Sequence, residues 1–291
     1  MAEFVATLHD GTTLAGTVEG SGPAVLLPVR TAPHDAATAE GMRQWGADPD
    51  LGATLVHGLA DRFRVVAADY EGHRLAHPAA GTLTPDALAA DLLAVADAAG
   101  ADRFAYYGYS WLALAGLHLA LHTDRLWGLA MGGYPPAGGP YRAMLAVTRA
   151  AHEKALVPQE PVDGPVTPGD WDAAGITVGA QVTAQFVTLY EALQDFDDTT
   201  AQREVTVPRL AFAGSEDAIT YGPGWGDTVV EIAPPLTRHR AELVAQGWDV
   251  ELLDGLDHMS AMHGGNVLPL LRPWLLANAP DAATRRGGAR S

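Results

Sequence analysis

The chain has 291 residues, 48% of them hydrophobic, with no cysteine and a formal net charge of −17. That length suits one large domain or one domain with an insertion, and the charge opposes a nucleic-acid partner. The absence of cysteine excludes disulfides, thiolate metal sites and a cysteine nucleophile. No run of eighteen apolar residues occurs, and Met1-Ala2-Glu3-Phe4 does not open a signal region, so a cytoplasmic protein without a membrane partner is expected. No sequence feature specifies an assembly, and a homodimer is left open.

Glu3 to Leu8 and Thr13 to Val18 flank the turn His9-Asp10-Gly11-Thr12, which predicts an opening antiparallel hairpin. A short apolar run, Ala24 to Leu27, is followed by a punctuated stretch with helical pieces at Ala36 to Trp45 and Asp50 to Leu59. Phe63 to Ala68 reads as a buried strand because it is nearly all apolar. In Asp69-Tyr70-Glu71-Gly72-His73-Arg74 the plain reading is a turn built by Asp69 and Gly72, with pocket-rim positions for His73 and Arg74 as the alternative. Thr84 as N-cap and Pro85 at the first helical position start a helix that Gly100 closes, and Leu88, Leu92, Val95 and Ala99 line its apolar face.

Phe104 to Tyr107 is strand-like, Trp111 to His122 is helical, and between them stands Gly108-Tyr109-Ser110. A sharp strand-to-helix turn lifts a serine Oγ clear of a sheet and aims helix N-terminal amides at it. Leu126 to Met131 is the next strand. From Tyr134 to Glu204 the rhythm changes, with helices at Tyr141 to Leu156 and Ala180 to Asp195 around a Pro/Gly-rich loop from Val157 to Asp170. This is read as a helical cap, 134–204, inserted into a core of 1–133 and 205–280, with a disordered tail at 281–291.

Val207 to Ala213 ends in Gly214-Ser215-Glu216-Asp217, and a helix follows from Leu236 to Gln246. Asp249 to Leu253 leads to Asp254-Gly255-Leu256-Asp257-His258, and Val267 to Ala277 closes the chain as helix. Strands alternating with helices predict a parallel sheet with right-handed crossovers. A serine turn, then an acid after one strand, then a histidine after another, is the serine-first order of an acyl-transfer triad.

These residues resemble the α/β-hydrolase family over about Phe4 to Ala277. The resemblance implies a mostly parallel sheet of about eight strands with helices on both faces and a helical cap insertion. It also implies hydrolysis of an ester, thioester, lactone or amide without a cofactor, and a small-molecule substrate. Ser110 is the candidate nucleophile, His258 the base and Asp217 its orienting acid. Asp217 is preferred to Glu216 because it is the fourth residue of a Gly-x-x-Asp stretch, and His258 to His263 because it directly follows the last strand. Asp254 and Asp257 read as solvated loop charges, with Asp257 as an alternative orienting group. Two departures stand out: Leu112 occupies the second glycine position of G-x-S-x-G, and Pro28-Val29-Arg30 replaces the usual His-Gly. Proline has no amide to donate. The candidate oxyanion donors are therefore the amides of Trp111 and of Val29 or Arg30.

Tyr109, Tyr134, Tyr141 and Phe186 are the candidate substrate contacts, drawn from the aromatic residues in and around the cap, which also include Trp171, Tyr190 and Trp225. His118 and His122 share a helix face but lack a third ligand, so no metal site is predicted.

Overall fold

The computed structural model describes residues 1–157 and 178–280. Of the predicted Pro/Gly-rich loop from Val157 to Asp170 all but the first residue lies outside the described residues, as do Trp171 and the tail 281–291.

The sheet has eight strands: β1 (Ala2–Thr7), β2 (Thr13–Glu19), β3 (Ala24–Leu27), β4 (Arg64–Ala68), β5 (Phe104–Tyr109), β6 (Leu126–Gly132), β7 (Arg209–Gly214) and β10 (Trp248–Leu253). Their spatial order is β1-β2-β4-β3-β5-β6-β7-β10. The β1–β2 and β2–β4 pairs are antiparallel and every other pair is parallel. A two-stranded ribbon, β8 (Ala218–Thr220) with β9 (Val229–Glu231), stands apart from it.

Side chains of alternate strand residues leave the sheet on opposite faces, so two apolar layers are needed to cover it. In β5, Phe104 and Tyr106 enter one core cluster, and Ala105 and Tyr107 the other. The first cluster includes residues of α4 (Pro85–Ala98), α5 (Trp111–His122) and α9 (Ala233–Ala245); the second is covered by α2 (Leu51–Leu59) and α11 (Gly264–Asn278). Helices thus cover both faces, as the family resemblance implies.

The start of α4 is set by Thr84, whose hydroxyl accepts from the Ala87 amide, with Pro85 where an amide would be unpaired. The Asp69–Gly72 turn differs from its prediction. It opens a helix, α3 (Tyr70–Ala76), in which the Asp69 carboxylate accepts from the Gly72 amide at 2.9 Å. His73 and Arg74 are buried on the hairpin side rather than at a pocket rim: Arg74 donates to Asp10 at 2.7 Å and to Thr12 at 3.1 Å, and His73 Nε2 lies 2.9 Å from the Thr12 hydroxyl. A cationic guanidinium with no exposed surface needs such partners, and the Asp10 turn supplies them.

Between β6 and β7 the chain inserts α6 (Tyr141–Ala155) and α7 (Ala180–Ala192), which pack on each other, and the short α8 (Asp198–Ala201). Buried Gln185 of α7 ties the insertion to the core, accepting from the Ala79 amide at 3.1 Å and donating to the Arg74 carbonyl at 3.0 Å. Asp198 accepts from the amides of Gly138 and Gly139 at 3.0 and 2.7 Å, fixing the segment that leads into α6. Among the described residues no helix is long and apolar enough to cross a membrane.

Candidate active site

Ser110 stands between β5 and α5 with φ 55° and ψ −131°, a conformation that a non-glycine residue holds only under strain. Its amide donates to the Gly132 carbonyl at 2.8 Å, which locks the turn to β6. Gly108 is required beside it, because a Cβ there would stand 2.3 Å from the Leu112 carbonyl oxygen. The departure at Leu112 has a structural answer. The close approach of strand and helix occurs one turn later, at Gly116, where a Cβ would meet the Tyr106 ring at 2.5 Å, while Tyr106 donates its hydroxyl to the Leu112 carbonyl at 2.8 Å.

The turns after β7 and β10 are pressed together. The Ser215 and Glu216 amides donate to the carbonyls of Leu253 and Leu256, both at 2.9 Å. A Cβ at position 214 would lie 2.0 Å from the Leu256 carbonyl oxygen, so only glycine allows this approach. Asp217 is turned inward with a fully buried side chain, whereas Glu216 is exposed. The Asp217 carbonyl accepts from the Ile232 and Ala233 amides at 3.1 and 2.9 Å, so the β8–β9 ribbon and the start of α9 brace it. His258 is the first residue of the short helix α10 (His258–Ala261) rather than a loop residue. Asp257 caps that helix and exchanges hydrogen bonds with Ser260, a capping box.

These turns bring three side chains into line. His258 Nδ1 lies 3.0 and 2.9 Å from the two oxygens of Asp217, and His258 Nε2 lies 3.1 Å from Ser110 Oγ. With a carboxylate on one side, the network places the proton on Nδ1 and leaves Nε2 as acceptor for the serine hydroxyl. His263 is elsewhere: its Nε2 lies 2.6 Å from the Gly46 carbonyl, and it caps α11. Asp254 is exposed.

Ser110 and His258 open onto a cavity of about 630 Å³. Its wall includes Pro28, Val29, Arg30 and Trp111, so the candidate oxyanion segments border the same space as the hydroxyl. Trp111 is the first residue of α5, where an amide has no intrahelical acceptor. Of the candidate substrate contacts, Tyr109 and Tyr134 line the cavity. Tyr141 and Phe186 do not. Tyr141 packs against Tyr134 and Phe196, and Phe186 sets its edge on Trp111 at 5.3 Å between centroids, so both support the wall from behind.

Tyr190, named among the cap aromatics but not chosen as a contact, also lines the cavity, and the sequence carries no signal for Met144 from the inserted helices or for Ile219, Tyr221, Val230 and Ile232 on and beside the ribbon. Sequence reasoning also passed over Glu71. The Glu71 side chain is exposed to the cavity, and its carboxylate accepts from the Trp111 indole at 3.0 Å. Burial pushes its pKa above the ordinary glutamate value, and nearby Asp69 adds to that while the indole donor opposes it. Among the described residues no group of histidine, cysteine and acidic side chains is arranged to hold a metal. A second depression, about 570 Å³, surrounds the Asp61–Arg272 ion pair and contains no nucleophile.

Neither a family model nor a curated protein matches this sequence. Solved structures do. An esterase from Thermogutta terrifontis matches with a TM-score of 0.56 at 16% identity, over 96% of this chain and 99% of that one. This is the α/β-hydrolase fold. An enol-lactonase from Burkholderia xenovorans LB400 matches at 0.58 and 19% identity, over 94% and 99% of the two chains. A variant of AqdC, described as recognising and ring-cleaving the Pseudomonas quinolone signal, matches at 0.61 and 17% identity, over 95% and 100%. The α/β-hydrolase fold thus spans nearly the whole chain and is shared with proteins of different reactions, so the chemistry has to be argued from the site.

Proposed function

We propose that the protein is a serine hydrolase that cleaves an ester, thioester or lactone of a small to medium, largely apolar substrate. The observation that carries this is the Ser110–His258–Asp217 line, with a strained serine at one end and a fully buried carboxylate at the other.

Ser110 Oγ attacks the acyl carbonyl while His258 Nε2 takes its proton, and the imidazolium so formed is held by Asp217 through Nδ1–H. The oxyanion of the tetrahedral intermediate falls to the Trp111 amide and to a second amide, of Val29 or Arg30, each donor worth about 3 kcal/mol in such sites. Collapse expels the alcohol, thiol or ring oxygen, which receives the proton from Nε2. Water, deprotonated by the same nitrogen, then attacks the acyl-enzyme and releases the acid. The apolar wall supplied by the inserted helices and the ribbon supports an apolar acyl or leaving group.

The test is Ser110→Ala against wild type on short-chain aryl esters. A fall in kcat of about a thousandfold or more supports the proposal; activity equal to wild type removes Ser110 from the mechanism. A second reading keeps the acyl-enzyme but passes the acyl group to an alcohol, or rearranges the substrate. The observation favouring it is Pro28 at the cavity wall, which alters one oxyanion segment. Product analysis in the presence of alcohols separates the two, since free acid as the sole product argues against transfer.

A further inference from the structure

Glu71 is a carboxylate that the proposed reaction does not use. It sits on α3, one residue beyond Tyr70, and faces the cavity that contains Ser110. Trp111, the residue after Ser110, reaches it with its indole nitrogen, so the carboxylate stands within one tryptophan side chain of the nucleophile turn. Among the described residues no other protein donor reaches it and no basic side chain pairs with it.

The other charged and titratable groups on the cavity wall are Arg30, His34, Asp48, Asp69 and His258. Arg30 is committed to Asp69 and to the Pro33 carbonyl, both at 3.4 Å, and His258 to Asp217 and Ser110. Asp48, also without a basic partner among the described residues, accepts from the Asp50 and Gly264 amides, both at 2.9 Å. The Glu71 side chain is exposed to the cavity and has a single neutral donor, so a cationic group entering there meets a carboxylate without a basic partner. The cavity wall is otherwise largely aromatic and aliphatic, with Trp111, Tyr134, Tyr190 and Tyr221 among its residues. Aromatic faces and the Glu71 carboxylate together suit a substituted ammonium group, whose methyl or methylene shell meets the rings while its charge meets the acid.

Building on the hydrolase reading, we propose that Glu71 determines specificity by selecting substrates that carry a cationic nitrogen, with the ammonium group seated between the Glu71 carboxylate and the aromatic wall. An anionic substrate of the same shape is repelled by the same group.

The experiment compares three aryl esters that differ only at the far end: trimethylammonium, tert-butyl and hydroxyl. In wild type, kcat/KM for the ammonium ester should exceed that of the tert-butyl ester by about tenfold or more, and in Glu71→Gln that ratio should fall toward one. The ratio is the readout, so a general loss of activity in the variant does not imitate the effect. If the variant fails to fold, wild type alone decides: the ratio should rise with pH as Glu71 ionises, and taking a ratio removes any change common to both esters. A wild-type ratio near one, a ratio untouched by Glu71→Gln, a ratio flat with pH, or a hydroxyl ester preferred to the ammonium ester overturns the proposal. Should no ester be cleaved, the hydrolase reading fails separately, and calorimetry with benzyltrimethylammonium still tests Glu71. Binding weakened in Glu71→Gln supports the role, and equal or absent binding in wild type contradicts it.

Discussion

The hydroxyl of Tyr109 donates to the main-chain carbonyl of His258 at 2.8 Å, and the two rings lie 5.2 Å apart. The residue before the serine therefore holds the histidine that faces the serine. Burial first, then the charges of Asp217, Tyr107 and Asp257, keep the phenol far above its ordinary pKa, so it remains a donor at any working pH. Tyr109→Phe removes only this bond. It should lower kcat about three- to thirtyfold, with KM changed less, and cost about 1 kcal/mol of stability. Steady-state kinetics and denaturant melts check it; an unaltered kcat would mean that the phenol is mere cavity wall.

Ser110 holds a backbone conformation that glycine adopts freely and alanine does not. Ser110→Gly and Ser110→Ala should both be inactive, yet differ in stability. Relief of about 1–3 kcal/mol of strain outweighs the roughly 0.4–1 kcal/mol that glycine adds to unfolded-state entropy. The glycine variant should thus be the more stable by about 1 kcal/mol. Equal melting in urea would show that the turn is unstrained.

Asp10 accepts from Arg74 and Thr12 in the hairpin turn that pins α3, the helix carrying Glu71. Burial pushes its pKa up, but the hydrogen bonds from Arg74 and Thr12 outweigh burial and hold it well below the usual carboxylate range. A depressed folded-state pKa stabilises the protein above the unfolded value, and that stability is lost as pH falls toward the folded value. Asp10→Asn should therefore be less stable than wild type at neutral pH, with a gap that narrows below about pH 4. Chemical denaturation at a series of pH values reads this directly, and a gap independent of pH would assign the loss to packing.

Much of the scaffold could be read from the chain because its signals are local. Thr84-Pro85 starts α4 where a hydroxyl cap and a missing amide predict a start, and the run Trp111 to His122 is the helix observed. Ser110, Asp217 and His258 were legible for a related reason: each follows a strand end. The cavity wall was not. Ile219 and Val230 lie on strands of three residues, too short for an alternating pattern to register, and their partnership depends on a ribbon closed by a Pro/Gly-rich turn. Glu71 was hidden in a turn-like Asp-x-x-Gly stretch that in fact caps a helix, and only tertiary packing turns that helix so that Glu71 meets Trp111. The same rotation sends His73 and Arg74 to the hairpin and away from the pocket. Tyr141 and Phe186 are aromatic and close by, but composition does not say which side of a wall a ring occupies.

The central claim is that His258, oriented by Asp217, activates the hydroxyl of Ser110. Fluorophosphonate labelling with mass mapping of the modified residue tests it without knowledge of the substrate, on wild type and on Asp217→Asn. The account predicts a single adduct on Ser110 in wild type and labelling slowed by about a hundredfold or more in the variant, where the amide favours the wrong imidazole tautomer. An unmodified Ser110, or labelling at equal rates in the two proteins, would contradict it.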